Sequence, residues 1–159
     1  MQVKSRHHLR SDAVSDVERA LEEQLGVSPE GDAYERVEFE DTDWEVVLID
    51  GEPRVAYFDD EPFLTVRGAN AYDPEKRLVT VDAGAVSFVS DGADVMRPGI
   101  TEATDDIAPD DLVIVAEESH GKVLAVGRAR VEGSDMVGEE GKVVDSLHHV
   151  GDDLYEFAG

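Results

Sequence analysis

Beyond Gly26 the apolar residues of this chain come in short β-branched runs separated by turn formers, which commits most of it to strands. Residues 36–40 alternate, with Val37 and Phe39 on one side, and residues 44–49 form a second run. Asp50 and Gly51 then predict a two-residue hairpin turn, because such a turn needs positive φ at both central positions. Residues 55–58 return from it, and residues 63–66 form another strand after the turn at Asp59 and Asp60. A turn around Asp73 and Pro74 marks a domain boundary.

The second half continues in the same way. Strands are expected at residues 78–81, 94–96, 112–117, 123–131, 141–144, 148–150 and 154–157, with one short helix over residues 83–90 that buries Val86 and Val89. Gly127 inside the long strand predicts a bulge or a barrel corner. The first half has one clear helix, residues 11–25, in which Val14, Val17, Leu21 and Leu25 make an apolar stripe. Ser11 is its expected cap, Ser15 and Glu18 offer a capping box as a later start, and Gly26 is its stop. The fold class is therefore α+β, a helix on a small antiparallel sheet, followed by a mostly β barrel or sandwich.

Hydrophobic residues make up 41% of the 159, enough for a packed core. No apolar run approaches the roughly 20 residues of a membrane helix, and residues 1–10 are polar and basic rather than signal-like. With no cysteine, disulfides and thiolate metal sites are excluded. A cytoplasmic protein that does not engage membranes is expected. The 38 Asp and Glu against 14 Lys and Arg give a net charge of −24. The acid is spread along the chain rather than gathered in a tail, which favours adaptation to high salt over a dedicated binder of basic partners. At roughly 1 M salt the Debye length is about 3 Å, so repulsion from a polyanion is largely screened.

Four ordered pieces carry a resemblance. They are Val81-Asp82-Ala83-Gly84-Ala85-Val86-Ser87-Phe88-Val89, then Gly92-Ala93-Asp94-Val95-Met96-Arg97-Pro98-Gly99-Ile100, then His120-Gly121-Lys122-Val123-Leu124-Ala125-Val126-Gly127, and last Gly141-Lys142 with Leu147-His148-His149-Val150-Gly151 running on to Phe157. Over residues 78–157 the chain resembles a PUA domain, which implies a PUA pseudo-barrel there and an N-terminal α/β domain over residues 1–73. The whole chain looks like archaeal relatives of the malignant T-cell-amplified translation factors. Arg6-His7-His8-Leu9 and Ile49-Asp50-Gly51-Glu52-Pro53 carry the thinner N-terminal likeness. The resemblance implies binding of structured RNA, tRNA or small-subunit rRNA, in translation initiation or ribosome recycling. A protein-interaction module docking a translation-factor partner, and an accessory subunit in RNA modification, are the alternatives.

The RNA site that this implies comprises Gly84, Ser87, Ser90, Gly92, Ala93, Asp94, Arg97, Pro98, Gly99, Lys142 and His148. On the residues alone, its glycines let backbone approach a ligand and its serines add hydroxyl donors. Arg97 is the one cation between Arg77 and Lys122. It either grips phosphate in bidentate fashion or pairs with a nearby carboxylate. Stacking on aromatic side chains is expected to matter less, since most Phe and Tyr residues fall at strand positions. Lys4, Arg6, His7, His8 and Arg10 form a second basic group, with no acid among residues 1–10. It is either an RNA or ribosome contact or a flexible, solvated end. No P-loop, dinucleotide fingerprint, nucleophile elbow or zinc-type ligand spacing occurs, so neither catalysis, a metal nor a cofactor is expected.

Overall fold

Helix α1 (Ser11–Leu25) occupies the span that its apolar stripe calls for. Val17, Leu21 and Leu25 are buried, and each such side chain withdrawn from water contributes roughly 1.5–3 kcal/mol. Gly26 closes the helix at φ 66°, its N–H bonding the Glu22 carbonyl. The start differs from expectation. Arg10 holds the cap position with no side-chain bond, and Ser11 is already helical, so neither it nor the Ser15 and Glu18 pair caps the helix.

The computed structural model describes all 159 residues and contains two units. The first comprises Met1–Pro74 together with Asp153–Gly159. Its strands are β1 (Val3–His8), β2 (Tyr34–Phe39), β3 (Glu45–Ile49), β4 (Glu52–Phe58) and β5 (Glu61–Leu64). They form one antiparallel sheet in sequence order. Asp50 and Gly51 make the expected turn at φ 52° and 84°, and Asp59 and Asp60 make the next at 50° and 66°. Val46, Val47, Leu48 and Ile49 are all buried, so both faces of the central strand are covered.

Two expectations for this unit are corrected. Residues 1–10 are not a flexible end, because β1 pairs along its length with β2. Residues 63–66 are not one strand either: β5 stops at Leu64, and Val66 opens helix α2 (Val66–Tyr72). Thr65 caps that helix by accepting the Gly68 N–H at 3.0 Å. Gly68 lies against the Arg54 carbonyl, with no room for a Cβ.

The second unit, Glu75–Asp152, holds β6 (Leu78–Val81), helix α3 (Val86–Ser90), β7 (Val95–Met96), β8 (Ile100–Ala103), β9 (Leu112–Glu117), β10 (Val123–Ala129) and β11 (Lys142–His149). The sheet order is β7-β11-β10-β9-β6-β8. β6 runs parallel to β9 while the other neighbours are antiparallel, and the mixed sheet curls into a nearly closed pseudo-barrel. Val79, Val81, Val115, Leu124 and Val144 fill it, and α3 seals it through Val89. The register shifts between Val126 and Gly127, where a bulge was expected. β8 was not anticipated, and β11 is one strand where two were expected.

The chain divides after Pro74, but its end does not stay with the barrel. Residues 154–157, expected as a final strand of the second half, lie instead in helix α4 (Asp153–Glu156) of the first unit. There the Tyr155 carbonyl accepts Arg67 Nε at 2.7 Å, and Phe157 meets Phe39 edge-on at 5.0 Å. No helix is long and apolar enough to cross a membrane.

Candidate nucleic-acid interface

A groove of about 310 Å³ opens on the second unit between α3 and the segment from β7 to β8. The loop leading into α3 sets one wall. Asp82 Oδ1 accepts the Ala85 N–H at 3.0 Å, which fixes the turn, and Asp82 N–H donates to the Gly99 carbonyl at 2.9 Å, which ties the loop to the opposite side. Gly99 permits that approach, since a Cβ on it would stand 2.9 Å from the Ala85 Cβ. Gly84 has little around it and leaves the mouth open. Helix α3 buries Val89 into the barrel and turns Phe88 outward, where it is 67% exposed. Met96, 48% exposed, faces the same groove.

Of the residues expected here, Gly84, Asp94, Pro98 and Gly99 line the groove. Ser87 is exposed on α3, and Ser90, Gly92 and Ala93 follow at its end, outside the lining. Gly92, at φ 93°, covers the His149 ring so closely that a Cβ would stand 2.7 Å from its Nε2. Asp94 accepts the Ser146 N–H at 2.8 Å and the Lys142 ammonium at 3.1 Å. The Ser146 bond, followed by Lys142, holds its carboxyl below the usual aspartate range, so it stays charged at neutral pH. Lys142 also lies 3.7 Å from Asp145.

Two expected contacts are corrected by their surroundings. Arg97 is not a lone cation. Its Nε and Nη2 bond the Asp135 carbonyl and carboxylate at 2.9 and 3.0 Å, and its Nη1 bonds the Glu140 carbonyl at 3.0 Å. Gly138 and Gly141 crowd the same side chain, so Arg97 fastens the loop before β11. His148 is fully buried, with Nδ1 held by the Asp152 carboxylate at 2.9 Å, and is closed to any ligand without unpacking. The residues that sequence reasoning passed over are Asp82, Ala85, Phe88, Val89, Val95 and Met96. Phe88 carried a signal: Val86 and Val89 facing inward at helical spacing leave it on the outer face.

In the first unit the basic residues 4–10 lie on and just beyond β1, the edge strand. Lys4, Arg6, His7 and His8 are all exposed. Arg6 pairs with Glu35 at 3.0 Å and Arg10 sits 3.7 Å from Asp12.

Residues 77–151 match the family profile of the PUA domain. An uncharacterized protein of Methanocaldococcus jannaschii is 41% identical over 118 residues, which span 74% of this chain and 73% of that protein. The chain belongs to the PUA-domain proteins. Within that family it is related to translation machinery-associated protein 20 and the malignant T-cell-amplified sequence proteins. The Saccharomyces cerevisiae translation machinery-associated protein 20 is 27% identical over 172 residues, covering 95% of this chain and 93% of its own. A crystal structure of a hypothetical protein from Pyrococcus horikoshii superposes with a TM-score of 0.87 at 30% identity, over 96% of this chain and 98% of its own. The groove of this PUA-domain protein lies wholly within the matched residues.

Proposed function

We propose that this protein binds structured RNA, tRNA or small-subunit rRNA, and works in translation initiation or ribosome recycling without catalysing a reaction. The observation that carries the reading is Phe88, a large aromatic side chain left 67% exposed over a groove lined mostly by apolar residues and two carboxylates. An isolated aromatic face beside a slot of this size suits an unpaired base next to a duplex, and stacking is worth about 1–3 kcal/mol per base. Kinship with translation machinery-associated protein 20 supports the setting in translation. Binding would be read at high ionic strength, where a chain of net charge −24 is least repelled by RNA. Phe88→Ala should weaken tRNA binding about tenfold or more at fixed molar salt, measured by fluorescence anisotropy. An unchanged affinity overturns the reading.

The cations of β1 form a second contact in this proposal. Lys4, His7 and His8 are exposed on β1, whose one sheet neighbour, β2, sets Glu35, Arg36 and Glu38 opposite it. Lys4→Glu should lower affinity for every RNA alike and flatten its dependence on salt by about one phosphate contact. The unpaired outer edge of β1 also favours a second reading, in which a translation-factor partner adds a strand there. Recovery of the protein with a protein partner after nuclease treatment separates that reading from RNA binding alone.

A further inference from the structure

The groove contains one carboxylate oxygen that the protein itself leaves unused. Asp82 Oδ1 is committed to the Ala85 N–H at 3.0 Å, while Oδ2 has no partner. The other carboxylate of the groove, Asp94, is occupied on both oxygens by Ser146 and Lys142. No free cation balances Asp82 there. Arg97 is fastened to Asp135 and Glu140, and Lys142 to Asp94 and Asp145. Helix α3, with five residues, is too short to offer an anion site of its own. A phosphate entering the groove would meet a carboxylate and apolar carbon with no unpaired cation to offset its charge. A neutral, flat group would meet the faces of Phe88 and Met96 and a single strong acceptor.

We propose that Asp82 is a specificity-determining residue, whose free oxygen accepts a hydrogen bond from the exocyclic amino group of an unpaired base packed on Phe88. This rests on the reading that the groove takes an RNA base. A carboxylate only accepts. Cytosine and adenine present an amino group at the edge where uracil presents a carbonyl, and uracil there sets two acceptors against each other. The groove therefore prefers amino-bearing bases to uracil, by a factor on the order of ten for one such hydrogen bond.

The test uses the full chain and four hairpin RNAs that differ only in one unpaired nucleotide beside the stem: cytidine, uridine, adenosine, or purine riboside, which is adenosine without its amino group. Binding is read by anisotropy at fixed molar salt. Wild-type protein should bind cytidine over uridine, and adenosine over purine riboside, by about tenfold each. Asp82→Asn retains the oxygen that caps Ala85 and replaces the free acceptor by a donor, so its preference should turn toward uridine. Equal wild-type affinity within both pairs overturns the proposal and needs no variant. A preference that persists unchanged in Asp82→Asn overturns it as well. Phe88→Ala keeps the two claims apart. If it weakens all four RNAs while wild type ignores the amino group, the groove reading stands and the role of Asp82 falls. If it weakens none, both fall.

Discussion

Arg97 is the residue whose role its neighbours redefine. Its guanidinium makes three hydrogen bonds to the loop before β11, one of them to the Asp135 carboxylate. Hydrogen bonds to a charged group are worth about 1.5–3 kcal/mol each when measured singly, and neighbouring ones are not additive. Arg97→Ala should therefore lower the stability of the barrel unit by about 2 kcal/mol in denaturant titration. Its effect on RNA affinity at low temperature should be smaller than that of Phe88→Ala. The reverse ranking would return Arg97 to the interface. His148 makes the same point from inside the core: the family segment containing it was legible, yet full burial and the Asp152 carboxylate make it a packing residue. Phe88 is the opposite case, an aromatic presented outward by a helix of only five residues.

Among the elements, β10 shows how one glycine shapes the barrel. At Gly127 the strand shifts register against β11, and a Cβ would fall 2.6 Å from the Asp145 carbonyl. A methyl group there must push two strands apart. Gly127→Ala should cost about 1–3 kcal/mol, with faster amide exchange at Val126 and Val144 than elsewhere in the unit. Wild-type exchange at those amides would contradict the close approach. β1 escaped notice because all but one of its residues are exposed and none is buried, so no period-two pattern marks it. What holds it is backbone pairing to β2, which leaves no trace in side-chain chemistry. α2 was hidden by its length of seven residues and by Gly68, a poor helix former retained because it touches Arg54.

At the scale of the molecule, the chain closes its first unit last. Asp153–Gly159 belongs with Met1–Pro74 although the whole barrel unit intervenes in sequence. Arg67 stacks 4.2 Å from the Tyr155 ring and bonds its carbonyl, and Phe157 packs on Phe39. Deleting residues 153–159 should destabilise the first unit by about 2–4 kcal/mol, from the buried Leu154, the part-buried Phe157 ring on Phe39 and one charged hydrogen bond. Hydrogen exchange should quicken in β2 and β3 while β9 and β10 keep their protection. Faster exchange in β9 and β10 instead would place the tail with the barrel. Fragments made to isolate the PUA unit should accordingly end at Asp152, the residue that holds His148.

The α1 stripe, the Asp50-Gly51 hairpin, the buried β-branched strands and the break near Pro74 were all written in the chain. Each depends on side chains a few residues apart, whose spacing sets period, burial and φ. The helical tail, the edge strand β1 and the pairing of Arg97 depend on partners 27 or more residues away, and no local pattern encodes which carboxylate or carbonyl will arrive. The groove divides along the same line. Its glycines and turns are local features, whereas an outward phenyl ring, a neutralised Asp94 and a half-used Asp82 exist only once α3, β7 and β11 have met.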